Sequence, residues 1–407
     1  MRGVYTLAIR AYAFGVKMAA WLGNTKARQW VEGRKALPAV EDDHGQWVWF
    51  HAASLGEFEQ GRPVIEAIKA SHPEIKICLS FFSPSGYEIR KDYPLADEVC
   101  YLPIDTPARA RQWVERHHYI AAFFIKYEFW FNYMQALRDH GIPLYYISLI
   151  LRPNQYFFKP YGRWFLKQLD TVTHFFVQDQ ATLDLLGSSG YLNATLCGDT
   201  RFDRVAAIAR QAQHFPMVER FLGDRTCILA GSTWPPDEKL LVNYLQRLTD
   251  HHVMIIAPHD ISDKHIQQLT ASLNDYQLYT NFDLSKKSKV LVVNTIGILS
   301  QLYQYAAIAY IGGGFGVNIH NIQEPVTFGC PVVFGPRYTD FREAVDLVRL
   351  GGAFSVKNQE ELDAILDKLI HNSAFTQKAS ETGKDYLASQ LGATEAIMNG
   401  ITSIFCA

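Results

Sequence analysis

The sequence predicts an α/β protein of two domains, each built around a parallel β-sheet that helices cover on both faces. From residue 47 onward, short β-rich runs alternate with helical stretches, as they do in parallel sheets. The more polar stretch 198–216 interrupts this alternation, which then starts again. A chain of 407 residues, 48% of them apolar, is long enough for two hydrophobic cores. We therefore expect two Rossmann-like domains facing across a cleft.

The predicted strands fall into two series. The first series is Trp47–His51, Ile75–Ser80, Ala121–Ile125, Leu144–Ile147 and His174–Val177. The second series is Cys227–Ala230, Val253–Ala257, Val290–Val293, Ala307–Ile311, Pro331–Phe334 and Ala353–Val356. The predicted boundaries are 1–35 for an N-terminal segment, 36–205 and 206–385 for the two domains, and 386–407 for a last helix.

Composition excludes several classes of protein. The net charge of −2 argues against bulk nucleic-acid binding, which needs a basic surplus. The six cysteines are scattered and form no CxxC pair, which suits buried thiols in a reducing cytosol and argues against a zinc module. The sequence also contains no HExxH motif and no EF-hand loop, so no metal site is predicted.

The first 35 residues are basic, with seven Lys or Arg against the single acid Glu32. Arg10 and Lys17 interrupt the apolar run, which therefore fits neither a signal peptide nor a spanning helix. One side of the helical wheel is apolar and comprises Val4, Leu7, Ala8, Ala11, Phe14, Met18 and Leu22. Two interpretations remain: an amphipathic helix lying in an anionic membrane surface, or a helix packed on its own domain.

The first candidate site follows the strand that ends at His51. Ligands of parallel sheets bind at the carboxyl ends of strands, and here the turn Ser54-Leu55-Gly56-Glu57 leads into a helix. One explanation for Glu57 at this place is the helix dipole alone, which favours a negative charge in the first turn of a helix. Alternatively, it is a carboxylate that is ionised at neutral pH and accepts a proton from a substrate hydroxyl.

The second domain has four turns suited to binding phosphate or ribose. Glycines at 312–314 and 316 let a ligand approach the backbone, although Val317 stands where the dinucleotide fingerprint requires glycine. Ser232 and Thr233 follow another strand, and they either cap a helix or face a phosphate. His259 is either structural or a phosphate donor, and Glu324 is either solvated or an acceptor for ribose hydroxyls.

Taken together, these motifs resemble the 3-deoxy-D-manno-octulosonic acid (Kdo) transferases of lipopolysaccharide biosynthesis, which are glycosyltransferases of the GT-B fold. The resemblance is carried by HAASLGE (51–57), KYEFWFN (126–132), GDTRFDR (198–204), GSTW (231–234), APHD (257–260) and IGGGFGVNIHNIQEPVTFGCPVVFGP (311–336). Their order and spacing agree with that family across essentially the whole chain, including the basic start.

The resemblance implies CMP-Kdo as the donor, a lipid A precursor as the acceptor, no metal or other cofactor, and a peripheral location on the cytoplasmic face of the bacterial inner membrane. It also implies that Glu57 is the general base and that the last helix crosses back to the first domain. The implied donor-binding residues are Ser232, Thr233, His259, Gly312, Gly313, Gly314, His320, Asn321 and Glu324. The candidate acceptor-binding residues are Ser54, Gly56, Glu128 and Arg152. Arg152 lies in the loop LRPNQYFFKP, where it either meets the acidic acceptor or the donor carboxylate or is simply solvated.

The chain departs from the family pattern at several positions. Trp234 stands where the family often has His, and Ala257-Pro258-His259 replaces a Pro-Arg-His sequence. Lys126 and Phe131 stand where Thr and Pro are more usual. The alternatives to a Kdo transferase are a GT-B enzyme that uses a UDP-sugar, either a glycosyltransferase or an epimerase, and a non-catalytic nucleotide-sugar-binding membrane protein.

Overall fold

A computed structural model describes residues 1–35 and 45–405. The chain divides into two compact units: Met1–Asp203 together with Leu391–Ala407, and Arg204–Gln390. The observed divisions thus follow residues 203 and 390, where the sequence placed them after 205 and 385. The predicted start of the first domain at residue 36 lies outside the described residues.

The first unit contains a parallel sheet in the order β3-β2-β1-β4-β5-β6-β7. Its strands are β1 (Trp47–Ala52), β2 (Lys76–Phe81), β3 (Glu98–Tyr101), β4 (Tyr119–Ile125), β5 (Leu144–Leu149), β6 (His174–Val177) and β7 (Ala194–Leu196). Its helices before the division are α1 (Arg2–Trp21), α2 (Thr25–Glu32), α3 (Leu55–Ser71), α4 (Pro84–Arg90), α5 (Pro107–Val114), α6 (Phe131–Asp139), α7 (Arg163–Gln168) and α8 (Gln180–Ser188). Helix α9 (Thr200–Arg210) contains the division.

The second unit contains a parallel sheet in the order β10-β11-β9-β8-β12-β13-β14. Its strands are β8 (Thr226–Thr233), β9 (His252–Pro258), β10 (Tyr276–Leu278), β11 (Val290–Val292), β12 (Ile308–Ile311), β13 (Val332–Phe334) and β14 (Ala353–Ser355). The remaining helices are α10 (Pro216–Leu222), α11 (Pro235–Tyr244), α12 (Asp263–Thr270), α13 (Leu299–Leu302), α14 (Gln323–Thr327), α15 (Arg342–Leu350), α16 (Gln359–His371), α17 (Ser373–Gln390) and α18 (Ala393–Ile401). Short 3₁₀ turns are found at Tyr156–Phe158, Leu169–Thr171, Leu245–Arg247, Tyr303–Tyr305 and Thr402–Phe405.

The central strands are buried on both faces, which explains why they read as nearly continuous apolar runs. All six residues of β1 are buried, as are all six of β5. Parallel sheets covered by helices on both sides bury their strands in this way. Every predicted strand overlaps an observed one, whereas β3, β7 and β10 were not predicted.

Helix α1 packs against the first unit by one side only. Thr6 and Ala13 are buried, and Tyr5 packs edge-on against Phe131 with 5.0 Å between ring centroids. The apolar side that the sequence singled out is exposed and comprises Val4, Leu7, Ala8, Ala11, Phe14, Met18 and Leu22. Within residues 1–35 and 45–405, no helix combines the length and the hydropathy that crossing a bilayer requires.

Helix α2 connects to the first unit through aromatic rings. Trp30 packs edge-on against Phe82 at 5.8 Å between centroids, and Phe82 stacks on Trp130 at 4.8 Å. The guanidinium of Arg34 lies 4.0 Å from the centroid of the Trp30 ring and donates to the carbonyl oxygen of Leu102 over 2.8 Å. The hydrogen bonds and ring contacts fix the polypeptide after α2 against the carboxyl end of the sheet.

Helix α18 belongs to the first unit. Ile397 and Ile401 are fully buried in the same apolar cluster as Val48 and Phe50 of β1. The Asp203 carboxylate accepts the Gly392 amide over 2.7 Å and the Thr394 amide over 2.6 Å, which fixes the start of the helix. The last helix therefore completes the core of the first unit.

Candidate active site

The predicted site residues cluster at the switch point of each parallel sheet. In the first sheet, β1 lies between β2 and β4, so the connections that follow β1 and β4 leave the sheet edge in opposite directions. In the second sheet, β8 lies between β9 and β12 in the same way. A ligand crevice forms at such a point, outside the carboxyl ends of the strands. Glu57 and Glu128 follow β1 and β4, and Ser232 and Gly312 lie at the corresponding ends of β8 and β12.

Glu57 lies in the first turn of α3, as the sequence predicted. Its Oε2 accepts a hydrogen bond from the backbone amide of Ala53 over 2.5 Å, which holds the carboxylate near the end of β1. Ser54 occupies the N-cap position but makes no side-chain capping bond. Gly56 is exposed, and a Cβ atom there would contact nothing within 4 Å. Packing therefore does not require glycine at 56, and the backbone beside Glu57 is open.

The ionisation of Glu57 differs from the expectation that the helix dipole keeps it charged. Burial and the charge of Glu128 raise the pKa of Glu57 to about 7, although the amides of Ala53 and Ser54 and the charge of Lys126 oppose that rise. Near neutral pH the carboxyl group is thus divided between its two protonation states. A pKa near the working pH is the value that general base catalysis favours.

Glu128 is buried to 9% exposure and is already bonded within the first unit. Its Oε2 lies 3.1 Å from Nε2 of His51 and accepts the indole N–H of Trp130 over 2.7 Å. The other implied acceptor residue, Arg152, is exposed, and its backbone amide donates to Oε1 of Gln155 over 3.0 Å. Glu128 thus lies near enough for its charge to act on Glu57, whereas Arg152 lies at the surface.

In the second unit, Ser232 and Thr233 have different surroundings. Ser232 has a left-handed backbone with φ of 53° at a register shift in β8. Non-glycine residues in this region are strained, and such strain is concentrated at functional sites. Thr233 is fully buried, and its hydroxyl donates to Oε1 of Glu238 over 3.0 Å. The Thr233 hydroxyl therefore already donates its hydrogen to a side chain of its own unit.

The glycine turn after β12 is shaped by contacts between backbones. A Cβ on Gly312 would lie 2.2 Å from the carbonyl oxygen of Ser232, and one on Gly314 would lie 2.7 Å from the backbone of Gly335. Gly313 has φ of 92°, and its amide donates to Oδ2 of Asp237 over 2.9 Å. The turn is therefore glycine-rich because the strands and loops of its own unit approach it closely.

Three aromatic rings stack beside this turn. The Trp234 ring lies 4.6 Å from the His259 ring, which lies 4.5 Å from the His320 ring, measured between centroids. The Trp234 indole also donates to Nε2 of His320 over 3.0 Å. Burial and the neighbouring His259 lower the pKa of His320 to about 4, so His320 is neutral near pH 7. The two histidines that the resemblance assigns to donor binding thus stack directly on each other.

Asn321 and Glu324 form the last part of the predicted donor site. Oδ1 of Asn321 accepts the Gln323 amide over 2.9 Å at the start of α14, and its Nδ2 donates to Oε1 of Glu324 over 3.3 Å. Burial raises the pKa of Glu324, while the bond from Asn321 and the charge of Arg204 oppose the rise. Asn321 thus orients the carboxyl group that was predicted to meet ribose hydroxyls.

Sequence reasoning overlooked three residues that shape these sites. Asp237 accepts from Trp234, Gly313 and Tyr310, and the one local signal for it is an acidic residue in the first turn of a helix. His51 begins the HAASLGE motif, but its position at the end of an apolar strand predicts no role for its side chain. Lys126 was noted only as a departure; it has φ of 57°, and its charge acts on Glu57.

Within the described residues, one group of side chains has the spacing of potential metal ligands. Cys78, Glu98 and Cys100 bring their donor atoms within 4.8 Å of one another. However, the Glu98 oxygens accept from Arg116 over 2.8 Å and from His117 over 2.9 Å. A buried cation beside that guanidinium would be repelled, so this cluster does not fit a metal. It also lies outside the set of predicted site residues.

The chain is similar to several proteins that carry the same description. Residues 24–204 match the family model described as 3-deoxy-D-manno-octulosonic-acid transferase. The chain is 25% identical to the 3-deoxy-D-manno-octulosonic acid transferase of Bordetella pertussis, over 98% of each chain. It is also 25% identical to the protein of that name from Aquifex aeolicus, over 79% of this chain and 86% of that one.

Solved structures establish the fold. The UDP-GlcNAc 2-epimerase from Neisseria meningitidis, bound to UDP-GlcNAc, gives a TM-score of 0.61 at 14% identity, over 88% of this chain and 100% of that chain. A putative UDP-N-acetylglucosamine 2-epimerase from Listeria monocytogenes gives 0.60 at 14% identity, over 88% and 96%. At such identities the likeness concerns the fold alone, which is of the GT-B type.

Proposed function

We propose that the chain is a glycosyltransferase of the Kdo transferase family, and that it transfers Kdo from CMP-Kdo to a lipid A precursor with inversion at the anomeric carbon. The observation that carries this proposal is Glu57, a half-buried carboxylate at the switch point of the first sheet with a pKa of about 7. Such a group is suited to remove a proton from a sugar hydroxyl.

In the proposed reaction, Glu57 removes the proton from the acceptor hydroxyl as its oxygen attacks the anomeric carbon of Kdo. A new carbon–oxygen bond forms, and the bond from that carbon to the phosphate oxygen of CMP breaks. The proton remains on Glu57, and CMP leaves as the nucleotide. Attack from the face opposite the leaving group inverts the configuration.

The second unit is proposed to bind the donor. His259 of the stacked rings is the proposed hydrogen-bond donor to the phosphate of CMP. Glu324, oriented by Asn321, is the proposed acceptor for the ribose hydroxyls. CMP carries a single phosphate, so we expect donors of this kind to stabilise the leaving group without a metal or other cofactor.

The exposed side of α1 supports a peripheral place on an anionic membrane, where a lipid acceptor is found. Phe14 on this side and Trp21 at the end of the helix are 66% and 80% exposed, and Arg10 and Lys17 on the same helix are exposed too. Apolar side chains with neighbouring cations are what an interfacial helix presents to anionic lipid. The proposed location is the cytoplasmic face of the bacterial inner membrane.

Mass spectrometry of a lipid A precursor incubated with CMP-Kdo and the protein tests this function, with and without a chelator. The expected result is an acceptor heavier by one or more Kdo residues in both samples. Glu57→Ala is expected to lower transfer by about 10² to 10⁴ while CMP binding survives. Glu66→Gln, at a partly exposed ion-pair partner of Arg62 on the same helix, is the matched control. Transformation of UDP-GlcNAc in place of Kdo transfer would overturn the assignment.

A further inference from the structure

Trp234 and His259 are brought together by the pairing of two neighbouring strands. Thr233 and Pro258 are register partners at the carboxyl ends of β8 and β9, and the His259 amide donates to the carbonyl oxygen of Thr233 over 2.9 Å. Trp234 and His259 are the residues that follow these two partners. Their rings consequently lie one over the other, with 26° between the ring planes.

The backbone that carries Trp234 is attached to the glycine turn. The amides of Trp234 and Gly313 donate to the same Oδ2 atom of Asp237, over 3.0 and 2.9 Å. Asp237 is fully buried. The backbone amide of His320 donates to the carbonyl oxygen of Gly312 over 3.2 Å. The side chains of Trp234 and His320 therefore extend from backbone that one turn holds in place.

Trp234 and His320 lie side by side on one face of the His259 ring. The His320 ring is also nearly parallel to the His259 ring, with 21° between the planes. Rings on opposite faces of His259 would be about 7 Å apart, which is twice the contact distance of stacked carbon atoms. The Nε1 atom of Trp234, however, lies 3.0 Å from Nε2 of His320. The two rings are therefore neighbours in one layer, joined edge to edge by a hydrogen bond.

The direction of this hydrogen bond fixes the tautomer of His320. An indole N–H donates and does not accept, so Nε2 of His320 is the acceptor and carries no hydrogen. His320 is neutral near pH 7, so its one ring hydrogen is on Nδ1. Among the residues that the structure describes, Nδ1 of His320 has no hydrogen-bond partner. The hydrogen on Nδ1 is thus available to a ligand.

We propose that Trp234 is a positioning residue of the donor site, which holds His320 in the tautomer that donates through Nδ1 to the phosphate of the nucleotide. The inference rests on the proposed function for the identity of the ligand, whereas the tautomer is a property of the folded chain. The sequence marked Trp234 only as a departure from the family, which often has His there. The structure gives the indole N–H a use that a phenyl ring in its place would lack.

The first test is ¹⁵N–¹H NMR of the full-length protein labelled at histidine, at pH 7, with the His320 signals assigned by their loss in His320→Gln. We expect Nε2 of His320 to carry no hydrogen in the wild type, and Trp234→Phe to shift part of the hydrogen from Nδ1 to Nε2. Trp164→Phe, the same substitution at a half-buried tryptophan of the first unit, is the matched control and should leave the His320 signals unchanged. A hydrogen on Nε2 of His320 in the wild type overturns the inference.

The second test is the binding of CMP at pH 7, measured by isothermal titration calorimetry. Trp234→Phe should weaken CMP binding about tenfold, as expected when one hydrogen bond to a charged phosphate is lost. Trp234→Phe combined with His320→Gln should bind CMP no more weakly than His320→Gln alone, because Trp234 acts through His320. Additive losses overturn the positioning role, since Trp234 would then contact the ligand itself. Unfolding midpoints of all variants, measured by circular dichroism, show that the fold is retained.

The outcomes separate the inference from the proposed function. Unchanged CMP affinity in Trp234→Phe overturns the positioning role, whatever its effect on the tautomer. If Trp234→Phe changes both the tautomer and the CMP affinity but the wild-type protein transfers no Kdo, the positioning role is supported and the proposed reaction fails. A wild-type protein that binds no CMP overturns both.

Discussion

The hydroxyl of Tyr5 donates to Oδ2 of Asp105 over 2.5 Å, and this bond fastens α1 to the amino end of α6. The same carboxylate accepts the amides of Asn132 and Tyr133 at the start of that helix, over 3.2 and 3.1 Å. Arg2 adds a bond of 2.9 Å to the Asn132 side chain. The exposed helix is thereby joined to the segment that carries Glu128 and Trp130.

Tyr5→Phe is expected to lower the free energy of unfolding by about 1–2 kcal/mol, because it removes one hydrogen bond from a buried carboxylate. Urea denaturation measures this loss. Tyr12→Phe, at a 51% exposed tyrosine on the same helix, is the control and should change stability little. Equal stability of the two variants would show that the Tyr5 bond contributes nothing.

Asp105 should make stability depend on pH. Burial raises the pKa of Asp105 from 3.8 to about 6, so the folded state holds this proton more tightly than the unfolded chain does. Stability from this group is complete below the unfolded pKa and is lost as the pH rises through about 6, at up to about 1.4 kcal/mol per pH unit. Urea denaturation from pH 4 to pH 7 should show a flatter pH dependence for Asp105→Asn than for the wild type. An identical slope would contradict the raised pKa.

The strands of both sheets were largely predictable because their burial on two faces leaves long apolar runs. The three strands that were not predicted lie away from the centre of their sheets. Ala194–Leu196, at one edge, has no fully buried residue, and Tyr276–Leu278, at the edge of the second sheet, has one buried residue of three. Glu98–Tyr101 begins with an acid whose ion pair with Arg116 is invisible in the local sequence. Their formation depends on neighbours distant in the chain.

The turns that form the site could be predicted from the sequence, whereas the hydrogen-bond partners and the ionisation of the site residues could not. Ligands of parallel sheets bind at the carboxyl ends of strands, so Glu57 and the glycine turn could be identified in advance as site candidates. The contact of Thr233 with Glu238 and that of Glu128 with His51 could not be predicted, because both depend on side-chain packing. The pKa of Glu57 likewise depends on burial and on Glu128, which the dipole argument omitted.

The exposed side of α1 gives a membrane-binding prediction. The double variant Phe14→Ser with Trp21→Ser should release most of the protein from vesicles that contain anionic phosphatidylglycerol, measured by flotation. Full burial of a large apolar side chain contributes about 1.5–3 kcal/mol. Leu192→Ser, at an 86% exposed leucine of the same unit, is the matched control. Undiminished flotation of the double variant would exclude this side as the membrane contact.

His259 gives a prediction for donor binding. His259→Gln should weaken the binding of CMP about tenfold, as expected for the loss of one hydrogen bond to a charged phosphate. Isothermal titration calorimetry measures the dissociation constant. His214→Gln is the control, because His214 lies in the same unit with its side chain 86% exposed and ion-paired only to Glu219 among the described residues. Equal affinities would remove His259 from the phosphate site.

The glycine turn offers a test that separates packing from ligand binding. A Cβ on Gly314 would lie 2.7 Å from the backbone of Gly335, and backbone cannot give way as a flexible side chain does. Gly314→Ala should therefore cost about 1–3 kcal/mol of stability, seen as a fall of several degrees in the calorimetric unfolding midpoint without ligand. Gly316→Ala is the matched control, since its Cβ would meet only the Gly313 carbonyl oxygen at 3.3 Å. The opposite result is that Gly314→Ala keeps its unfolding midpoint but loses CMP binding. The neighbouring backbone would then have accommodated the methyl group, and glycine would be needed at 314 for the approach of the ligand.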